Sequence, residues 1–536
     1  MTHVGAACGT RLGFDCDEAR IDAVFAPLKG CHLPGAAVGV AIDGKPAYRK
    51  AFGLANMELP IALSTTMRMR IGSTTKHFVC LAYLLLCEAG LADLDDPVGK
   101  YVPEVHGVIR DVTIRQLMGH TSGIRDAVEL SWLFSGTGHP VSSQDLLSLY
   151  RNLGTVNFPP GTAFSYNNGG YVLLTFAIER IANRPLEEVL EKRIFHPIGM
   201  FDTRLRRFDT DFLPNSATLH TRNRAGDFEK AYLGTALSGE GGMVSTVDDM
   251  LRWLAHMDHP FVGSASTWEA LKTPQRLVNG TSTGYGLGLI TEHYRNVTTL
   301  SHAGGVLGGN SQMLKVPAAG LDIVVMVNRH DVLGMFLVND LLERCLAGLD
   351  PPQAERNVAI VTGTFRSPAT DRVVQLHGRQ GQQYACIDGF DVPVRSGADA
   401  VLHPAAGYGM LQQHIHLVGN REHPEALRLQ EFGNWDELVA VSTEARTSTD
   451  RIRSRYRSDA ASVDALVSGP DAELQMTTVG PFGSARFTLE PLAENVWRAR
   501  STDPMSWGAL LAFDQVSGSF KLNTTRTRGL QFRRCG

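Results

Sequence analysis

The sequence lacks an apolar run long enough to cross a membrane. Its longest, residues 78–87, is about half of the ~20 residues that a transmembrane helix requires. The first 25 residues contain four acidic side chains and no apolar signal core, which argues against a secretory leader. These absences predict a cytoplasmic protein with no membrane partner.

A large excess of one charge is also missing. The 51 lysines and arginines nearly balance the 55 aspartates and glutamates, and the net charge is −4. This balance gives no reason to expect nucleic acid as a partner. The eight cysteines are scattered without the spacing of a zinc or redox motif, so neither a metal site nor a disulfide framework is expected.

A chain of 536 residues is too long for a single hydrophobic core, so two or three domains are expected. The first part mixes short β-branched runs, at residues 36–42 and 323–327, with helical patterns at residues 78–87, 172–181 and 186–194. This mixture predicts a domain that contains both helices and strands.

The pattern changes after Pro351 and Pro352. From residue 358 onward, short β-type runs are broken by Gly, Pro, Asp and Asn, which is typical of antiparallel sheets or barrels. Residues 363–367 resemble residues 454–458, which suggests two similar β-modules, with a coincidental match as the alternative. We predict three domains, at residues 1–350, 351–446 and 447–536.

The strongest chemical signal is Ser73 followed by Lys76 at the start of the apolar helix. Residues three apart on a helix share a face, so the two side chains should touch. A serine hydroxyl needs a neighbouring base, and a lysine can be that base when burial and the positive end of a helix lower its pKa. No other of the ten lysines follows a serine at this spacing. Taken alone, the motif also fits a serine N-cap with a solvated lysine.

A second signal is Tyr166 with Asn168, directly after a Pro-Pro-Gly loop. A tyrosine beside an ammonium group can carry a proton as a phenolate or shuttle, and the asparagine can orient a substrate amide. Tyr150 and Tyr294 are also followed two residues later by asparagine, but the loop that would present the side chain precedes only Tyr166.

A third signal is His302, which is followed by Ala303, Gly304 and Gly305 just before the expected strand at 323–327. The small residues would let a substrate lie against a strand edge, and a backbone N–H near Gly305 could join that of Ser73 in an oxyanion hole. The alternatives are a tight turn or bulge for the glycines and a core histidine for His302.

Together the three motifs resemble those of the penicillin-recognising serine enzymes, whose third motif is more often Lys-Thr-Gly. Other segments resemble the same family: residues 94–98, 117–123, 199–203 and 241–245. The resemblance covers about residues 35–345 and implies a β-lactamase/transpeptidase-like α/β domain, in which an antiparallel sheet is flanked by helices.

With histidine in its third motif, the sequence is similar to the D-stereospecific aminopeptidases. These enzymes are class C β-lactamase-like and carry two further antiparallel β-barrel domains. Residues 455–459 and 528–534 resemble the first and last strands of that family's third domain. A loop of that domain brings a carboxylate to the substrate's amine, and the resemblance assigns this role to Asp503. A plain turn aspartate is the alternative, and Glu240 is the second candidate for the carboxylate.

The resemblance implies a serine hydrolase that releases N-terminal D-amino acids, D-alanine foremost, from peptides, amides and esters. Ser73 would form the acyl-enzyme, and Lys76 and Tyr166 would move the proton. His302, as neutral imidazole, would support Tyr166 or Ser73 by hydrogen bonding. Asn168 and Gly305 would bind the substrate.

The resemblance also implies a homodimer, and it implies no metal or organic cofactor. Within the family, an esterase, a β-lactamase or a D-Ala-D-Ala carboxypeptidase are the rival functions. A catalytically silent binding module is the rival from another class, and the intact Ser73, Lys76 and Tyr166 argue against it.

Overall fold

The computed structural model shows an α/β domain followed by two closed β-barrels. It describes residues 12–30, 32–351, 360–397, 400–405, 412–442, 449–501, 508–514 and 516–535. Asp503 therefore lies outside the described residues. The architecture confirms the fold class expected from the sequence.

A six-stranded antiparallel sheet forms the centre of the α/β domain. In sheet order, its strands are Ile290–Tyr294, Val297–Val306, Gly309–Val316, Leu321–Val327, Ala36–Ile42 and Lys45–Phe52. The two strands expected from β-branched runs are both present and are neighbours, with Ala36 opposite Val327. The strand Val297–Val306 was not predicted, because its centre is rich in small residues that weaken the strand pattern.

Both faces of the sheet are covered, and alternate residues of one strand enter different cores. Ile323 and Val325 belong to a core with the helices Glu18–Val24 and Gly334–Cys345. Val324 and Met326 belong to the larger core on the other face. This division follows from the two-residue period of a strand.

The helix Lys76–Glu88 runs through the larger core, and ten of its residues are buried. Among the described residues, no helix combines the length and the apolar character needed to cross a bilayer. The other helices are Ile114–Met118, Ala127–Ser135, Ser143–Leu149, Asn168–Ala182, Leu186–Leu190, His196–Ile198, Val247–His256, Ala265–Lys272 and Thr449–Ile452. Short strand pairs complete the domain: Leu54–Asn56 with Ile61–Ala62, His220–Arg222 with Phe228–Lys230, and Met243–Ser245 with both Met69–Arg70 and Arg204–Leu205.

The two barrels have the same eight-stranded, up-and-down order. The strands of the first are Gly363–Arg366, Val373–Arg379, Gln382–Ile387, Phe390–Ser396, Val401–Pro404, Gln413–Gly419, Pro424–Glu431 and Asn434–Ala440. The strands of the second are Ser454–Ser458, Val463–Ser468, Gln475–Gly480, Gly483–Ala493, Val496–Ser501, Ala509–Phe513, Phe520–Asn523 and Leu530–Cys535. The two similar sequence segments fall in the first strand of each barrel, and closure removes the exposed sheet edges.

The second barrel is docked on the α/β domain through the helix Ala127–Ser135. The Phe134 ring lies 5.9 Å from the Phe532 ring of the barrel, and the Thr478 hydroxyl donates to the Phe134 carbonyl at 3.4 Å. The apolar core of the second barrel is continuous with the larger core of the α/β domain. The first barrel has a core of its own.

We expect Phe134→Ala to weaken this docking. Phe134 is buried at the junction, and truncating a buried phenylalanine costs about 3–5 kcal/mol of unfolding free energy. Thermal unfolding should occur at a lower temperature, and limited proteolysis should release barrel fragments sooner. Phe212→Ala is the control, since that ring is 92% exposed and its loss should leave both readouts unchanged. A Phe134→Ala protein as stable as the parent would contradict the proposed docking.

Candidate active site

Ser73 lies in a tight turn, Gly72–Thr75, that leads directly into the helix Lys76–Glu88. Gly72 has a φ of +52°, and a Cβ there would lie 2.6 Å from the backbone nitrogen of Gly305. Only glycine combines this conformation with so close an approach. The turn therefore places Ser73 against the strand that carries the His302 motif.

Hydrogen bonds fasten this turn to the strands. Ser311 donates to the Ile71 carbonyl at 2.8 Å, and Thr74 donates to the His302 carbonyl at 3.3 Å. A Cβ on Gly304 would lie 1.8 Å from the Ile71 carbonyl oxygen, so this position also requires glycine. The glycines of the third motif thus serve close packing within a strand, and neither the tight turn nor the bulge considered from the sequence forms there.

Lys76 is completely buried, which rules out a solvated lysine at this position. As an ammonium group its Nζ donates to Ser73 Oγ at 3.1 Å, to Asn168 Oδ1 at 2.9 Å and to the Glu240 carbonyl oxygen at 2.5 Å. As a free amine it donates to Asn168 and Glu240 and accepts from the Ser73 hydroxyl. All three partners are neutral. The spacing of Ser73 and Lys76 therefore produces the predicted contact.

Burial lowers the pKa of Lys76 to about 7. The Glu240 carboxyl opposes this shift, and the Arg526 guanidinium reinforces it. Lys315 is the other buried lysine among the described residues, and it is paired with the carboxylates of Asp258 and Asp322 at 2.8 and 2.6 Å. A carboxylate partner holds a lysine in its charged form; Lys76 has carbonyl and hydroxyl partners instead, and can be a free amine near neutral pH.

The Tyr166 ring lies 4.8 Å from Lys76 Nζ. Burial raises the pKa of the Tyr166 phenol, and the neighbouring Ser73 hydroxyl offsets part of the rise, although the pair lacks full hydrogen-bond geometry. Tyr166 is therefore a neutral phenol close to both Ser73 and Lys76. This arrangement favours Lys76 as the proton acceptor and Tyr166 as a proton donor.

Among the described residues, His302 hydrogen-bonds to neither Tyr166 nor Ser73, which corrects the expectation from the sequence, although its ring lies 6.4 Å from that of Tyr166. Its Nδ1 is 2.6 Å from the Ala303 carbonyl oxygen, and its Nε2 is 2.9 Å from the Tyr285 hydroxyl. Since a carbonyl can only accept, Nδ1 carries the proton and Nε2 accepts from Tyr285. Burial, followed by the nearby Lys76, lowers the pKa of His302 to about 3, so the ring is neutral as expected.

Asn168 binds Lys76 through its amide oxygen, and its backbone is held by Asp126. The buried Asp126 carboxylate accepts from the backbone N–H groups of Asn168 and Gly169, at 2.9 Å each. It also caps the helix Ala127–Ser135 by accepting from Val128. One carboxylate thus binds the N-termini of two helices, where negative charge is favoured.

The remaining predicted residues differ in placement. Gly305 is exposed at the strand edge beside Gly72, and nothing lies within 4 Å of where its Cβ would be. Glu240 is buried, and its carboxyl accepts from the N–H and the hydroxyl of Ser238. Asp503 falls outside the described residues.

A model of the beta-lactamase family matches residues 21–347 of this chain. The chain belongs to the beta-lactamase family. The match spans the turn with Ser73, the loop with Tyr166 and the strand with His302. It confirms the resemblance to the penicillin-recognising serine enzymes.

Relatives in this family extend over both barrels. A D-aminopeptidase from Brucella canis is 30% identical over 488 residues, which are 90% of this chain and 89% of the relative. A D-aminopeptidase from Cereibacter sphaeroides is 26% identical over 490 residues, 91% of each chain. The octameric penicillin-binding protein homologue from Pyrococcus abyssi has a similar fold, with a TM-score of 0.56, 20% identity, and coverage of 79% of this chain and 100% of its own. These matches confirm that the chain is a hydrolase of the beta-lactamase family.

Sequence reasoning missed four residues of this site: Asp126, His120, Tyr285 and Arg526. His120 packs 4.3 Å from the Tyr166 ring and accepts from the Asn167 N–H at 3.1 Å. His120 lies in residues 117–123, a segment that resembles the family, which was an available signal. Asp126, Tyr285 and Arg526 lie in none of these segments, so only their spatial positions reveal them.

We predict that the side chain of Lys76 titrates near pH 7 and that Asn168→Asp raises this pKa by about 1–3 units. The new carboxylate would replace the amide oxygen 2.9 Å from Nζ and favour the ammonium form. Nitrogen-15 NMR of lysine side chains measures both values, and Lys76→Arg identifies the signal by its loss. A Lys76 resonance that titrates at the ordinary lysine value in the parent protein would refute this assignment of the neutral amine.

Proposed function

We propose that this chain is a D-stereospecific aminopeptidase that hydrolyses peptides, amides and esters through an acyl-enzyme on Ser73. The observation that carries the proposal is the completely buried Lys76, which lies 3.1 Å from Ser73 Oγ and has its pKa lowered to about 7. The relatives named D-aminopeptidase match 90% and 91% of this chain and support the substrate class.

In acylation, Lys76 acts as the general base. Its free amine accepts the Ser73 proton across the 3.1 Å hydrogen bond while Ser73 Oγ attacks the substrate carbonyl carbon. Tyr166, a neutral phenol, gives its proton to the leaving amine as the bond to the acyl carbon breaks. The Lys76 ammonium then returns a proton to Tyr166, so the net transfer is from serine to the amine.

The backbone N–H groups of Ser73 and Gly305 form the proposed oxyanion hole. The close approach of Gly72 to the Gly305 nitrogen supports this pairing, and the open space beside Gly305 leaves room for a substrate. Asn168 has its amide oxygen engaged by Lys76, so we assign substrate binding to its amide nitrogen.

Deacylation uses the same groups in reverse. A water molecule attacks the acyl carbon and loses its proton to Lys76, and Ser73 recovers a proton as the acid is released. His302 supports the site by holding the Tyr285 hydroxyl at 2.9 Å, and the rings of His302 and Tyr285 each lie 6.4 Å from the Tyr166 ring. This proposed sequence needs no metal or organic cofactor.

A substrate with a free N-terminus brings an ammonium group into the cleft, and burying it unpaired would cost several kcal/mol. Asp503 is our first candidate for the pairing carboxylate. Glu240 is the weaker one, because burial raises its pKa and Ser238 already binds its carboxyl. The cytoplasmic location and the homodimer expected from the sequence remain predictions.

We expect Ser73→Ala to lower turnover of D-alanine p-nitroanilide by several orders of magnitude, because the covalent nucleophile is lost. Mass spectrometry of the parent protein with a slow acylating inhibitor should find the adduct on the peptide that contains Ser73. L-alanine and acetyl-D-alanine p-nitroanilides test stereospecificity and the need for a free amine. An adduct on another peptide, or an active Ser73→Ala protein, would disprove the mechanism.

We further expect Asp503→Asn to lower kcat/KM for D-alanine amides. The expected loss of transition-state stabilisation is about 2–4 kcal/mol, the scale for removing one side of a buried charge pair. The acetylated substrate has no ammonium group and should be nearly unaffected, so it is the matched control. Equal losses on both substrates would mean that Asp503 only shapes its loop. If Glu240→Gln, and not Asp503→Asn, selectively weakens activity on the free-amine substrate, Glu240 is the carboxylate that pairs with the substrate's ammonium group.

A further inference from the structure

A loop of the second barrel brings a cation into the candidate active site. This loop, residues 524–529, joins the strands Phe520–Asn523 and Leu530–Cys535 and is called the arginine loop below. The guanidinium of Arg526 lies 5.2 Å from the centre of the Tyr166 ring. Its Nη1 donates to the Asp126 carboxylate at 3.3 Å, and its side chain is only 15% exposed.

The arginine loop is fixed to the α/β domain on both sides of Arg526. Asn157 donates from its amide nitrogen to the Arg526 carbonyl and accepts from the Arg528 N–H with its amide oxygen, at 2.8 Å each. Thr524 donates to the Glu129 carboxyl at 2.6 Å, and Arg125 donates to the Arg528 carbonyl at 3.1 Å. These hydrogen bonds hold the arginine loop, and with it the Arg526 guanidinium, against the α/β domain.

Through Asp126, the guanidinium is linked to the proton-handling groups. Asp126 binds the backbone of Asn168, and the Asn168 side chain binds Lys76 Nζ. Tyr166 is close to both cations, with Lys76 Nζ at 4.8 Å and the Arg526 guanidinium at 5.2 Å from its ring centre. A guanidinium near an aromatic face is attracted to it and restrains the ring.

We propose that Arg526 is a positioning residue for the reaction proposed above. It restrains the Tyr166 ring, neutralises the Asp126 carboxylate, and its positive charge disfavours a second positive charge nearby, that of a protonated Lys76. The active site is then complete only when the second barrel is docked. The inference rests on the proposed function, because it assigns Lys76 and Tyr166 the proton-transfer roles given there.

The charged groups around Lys76 explain how Arg526 affects its protonation. Two carboxyl groups act on Lys76, those of Glu240 and Asp126, and both favour its ammonium form. Arg526 opposes them. Without Arg526, the uncompensated Asp126 charge would pull the pKa of Lys76 upward. The other titratable groups near Lys76 are His302, His120, Cys80, Tyr171 and Tyr166, and burial, followed by Lys76, lowers the pKa of His120. Glu129 also faces Arg526: burial raises its pKa to about 7 and Arg526 opposes the rise, so the Lys76 nitrogen-15 titration is needed to separate the two groups.

The test is the pH dependence of acylation in Arg526→Gln. Glutamine still offers Asp126 an N–H donor but carries no charge. We expect the acid-side midpoint of kcat/KM for D-alanine p-nitroanilide to move upward by roughly 0.5–1 pH unit, because Lys76 keeps its proton to higher pH. At pH 7 this corresponds to a loss of about twofold to fivefold beyond any change seen at pH 9. The Lys76 nitrogen-15 titration should move in the same direction.

Arg528→Met is the matched control, since it removes the same charge from the same loop. The Arg528 guanidinium faces Glu431 of the first barrel at 3.5 Å, so its loss should leave the midpoint where it is. Arg526→Lys keeps the charge and should restore most of the parent midpoint. A parent-like midpoint in Arg526→Gln, or an equal shift in Arg528→Met, would overturn the proposal.

The two proposals fail in different ways. If the parent protein forms no adduct at Ser73, the proposed function is wrong. If the adduct forms and Arg526→Gln lowers activity equally at every pH, the function stands and Arg526 has only a structural role. If Arg526→Gln fails to fold, Arg526→Met is the second uncharged variant: an upward shift of its Lys76 nitrogen-15 titration supports the proposal, and an unshifted titration overturns it.

Discussion

The site depends on one constraint: the amine of Lys76 is buried where no water can solvate it. A buried amino group must either lose its proton or have all its hydrogen bonds satisfied. Ser73, Asn168 and Glu240 satisfy the hydrogen bonds of either form, because the ammonium donates to all three and the free amine donates to Asn168 and Glu240 and accepts from Ser73. Burial lowers the pKa of Lys76 to about 7, so both forms are present near neutral pH. Three separate segments of the chain must therefore meet at one nitrogen atom, and this meeting places the proposed nucleophile beside its base.

A second constraint is the buried carboxylate of Asp126. It binds the N-termini of two helices, and Arg526 of the second barrel completes its shell. Removing one partner from such a group leaves an uncompensated buried charge, which is strongly destabilising. One of the contacts that join the domains, Arg526 with Asp126, is thus also the contact that we propose to set the charge around Lys76.

Neutral rings surround this part of the site. His302, Tyr285 and Tyr166 are all uncharged at neutral pH, because burial disfavours the charged form of each. Burial lowers the pKa of Lys76 to about 7 and raises that of Glu129, beside the arginine loop, to about 7. Of these two groups, Lys76 contacts Ser73, and a titrating amine there suits a reaction in which one proton is moved from serine to a leaving group.

The sequence alone determined the elements whose signal is local. A spacing of three on a helix predicted that Ser73 and Lys76 touch, β-branched runs predicted the strand Ala36–Ile42, and broken β-runs predicted the barrels. Only the tertiary structure decided the partner of His302, the burial of Lys76 and the meeting of Asp126 with Arg526. These three features depend on which distant segments of the chain pack together; Asp126 and Arg526, for example, are 400 residues apart. Local periodicities and short motifs carry no information about contacts between segments so far apart in sequence.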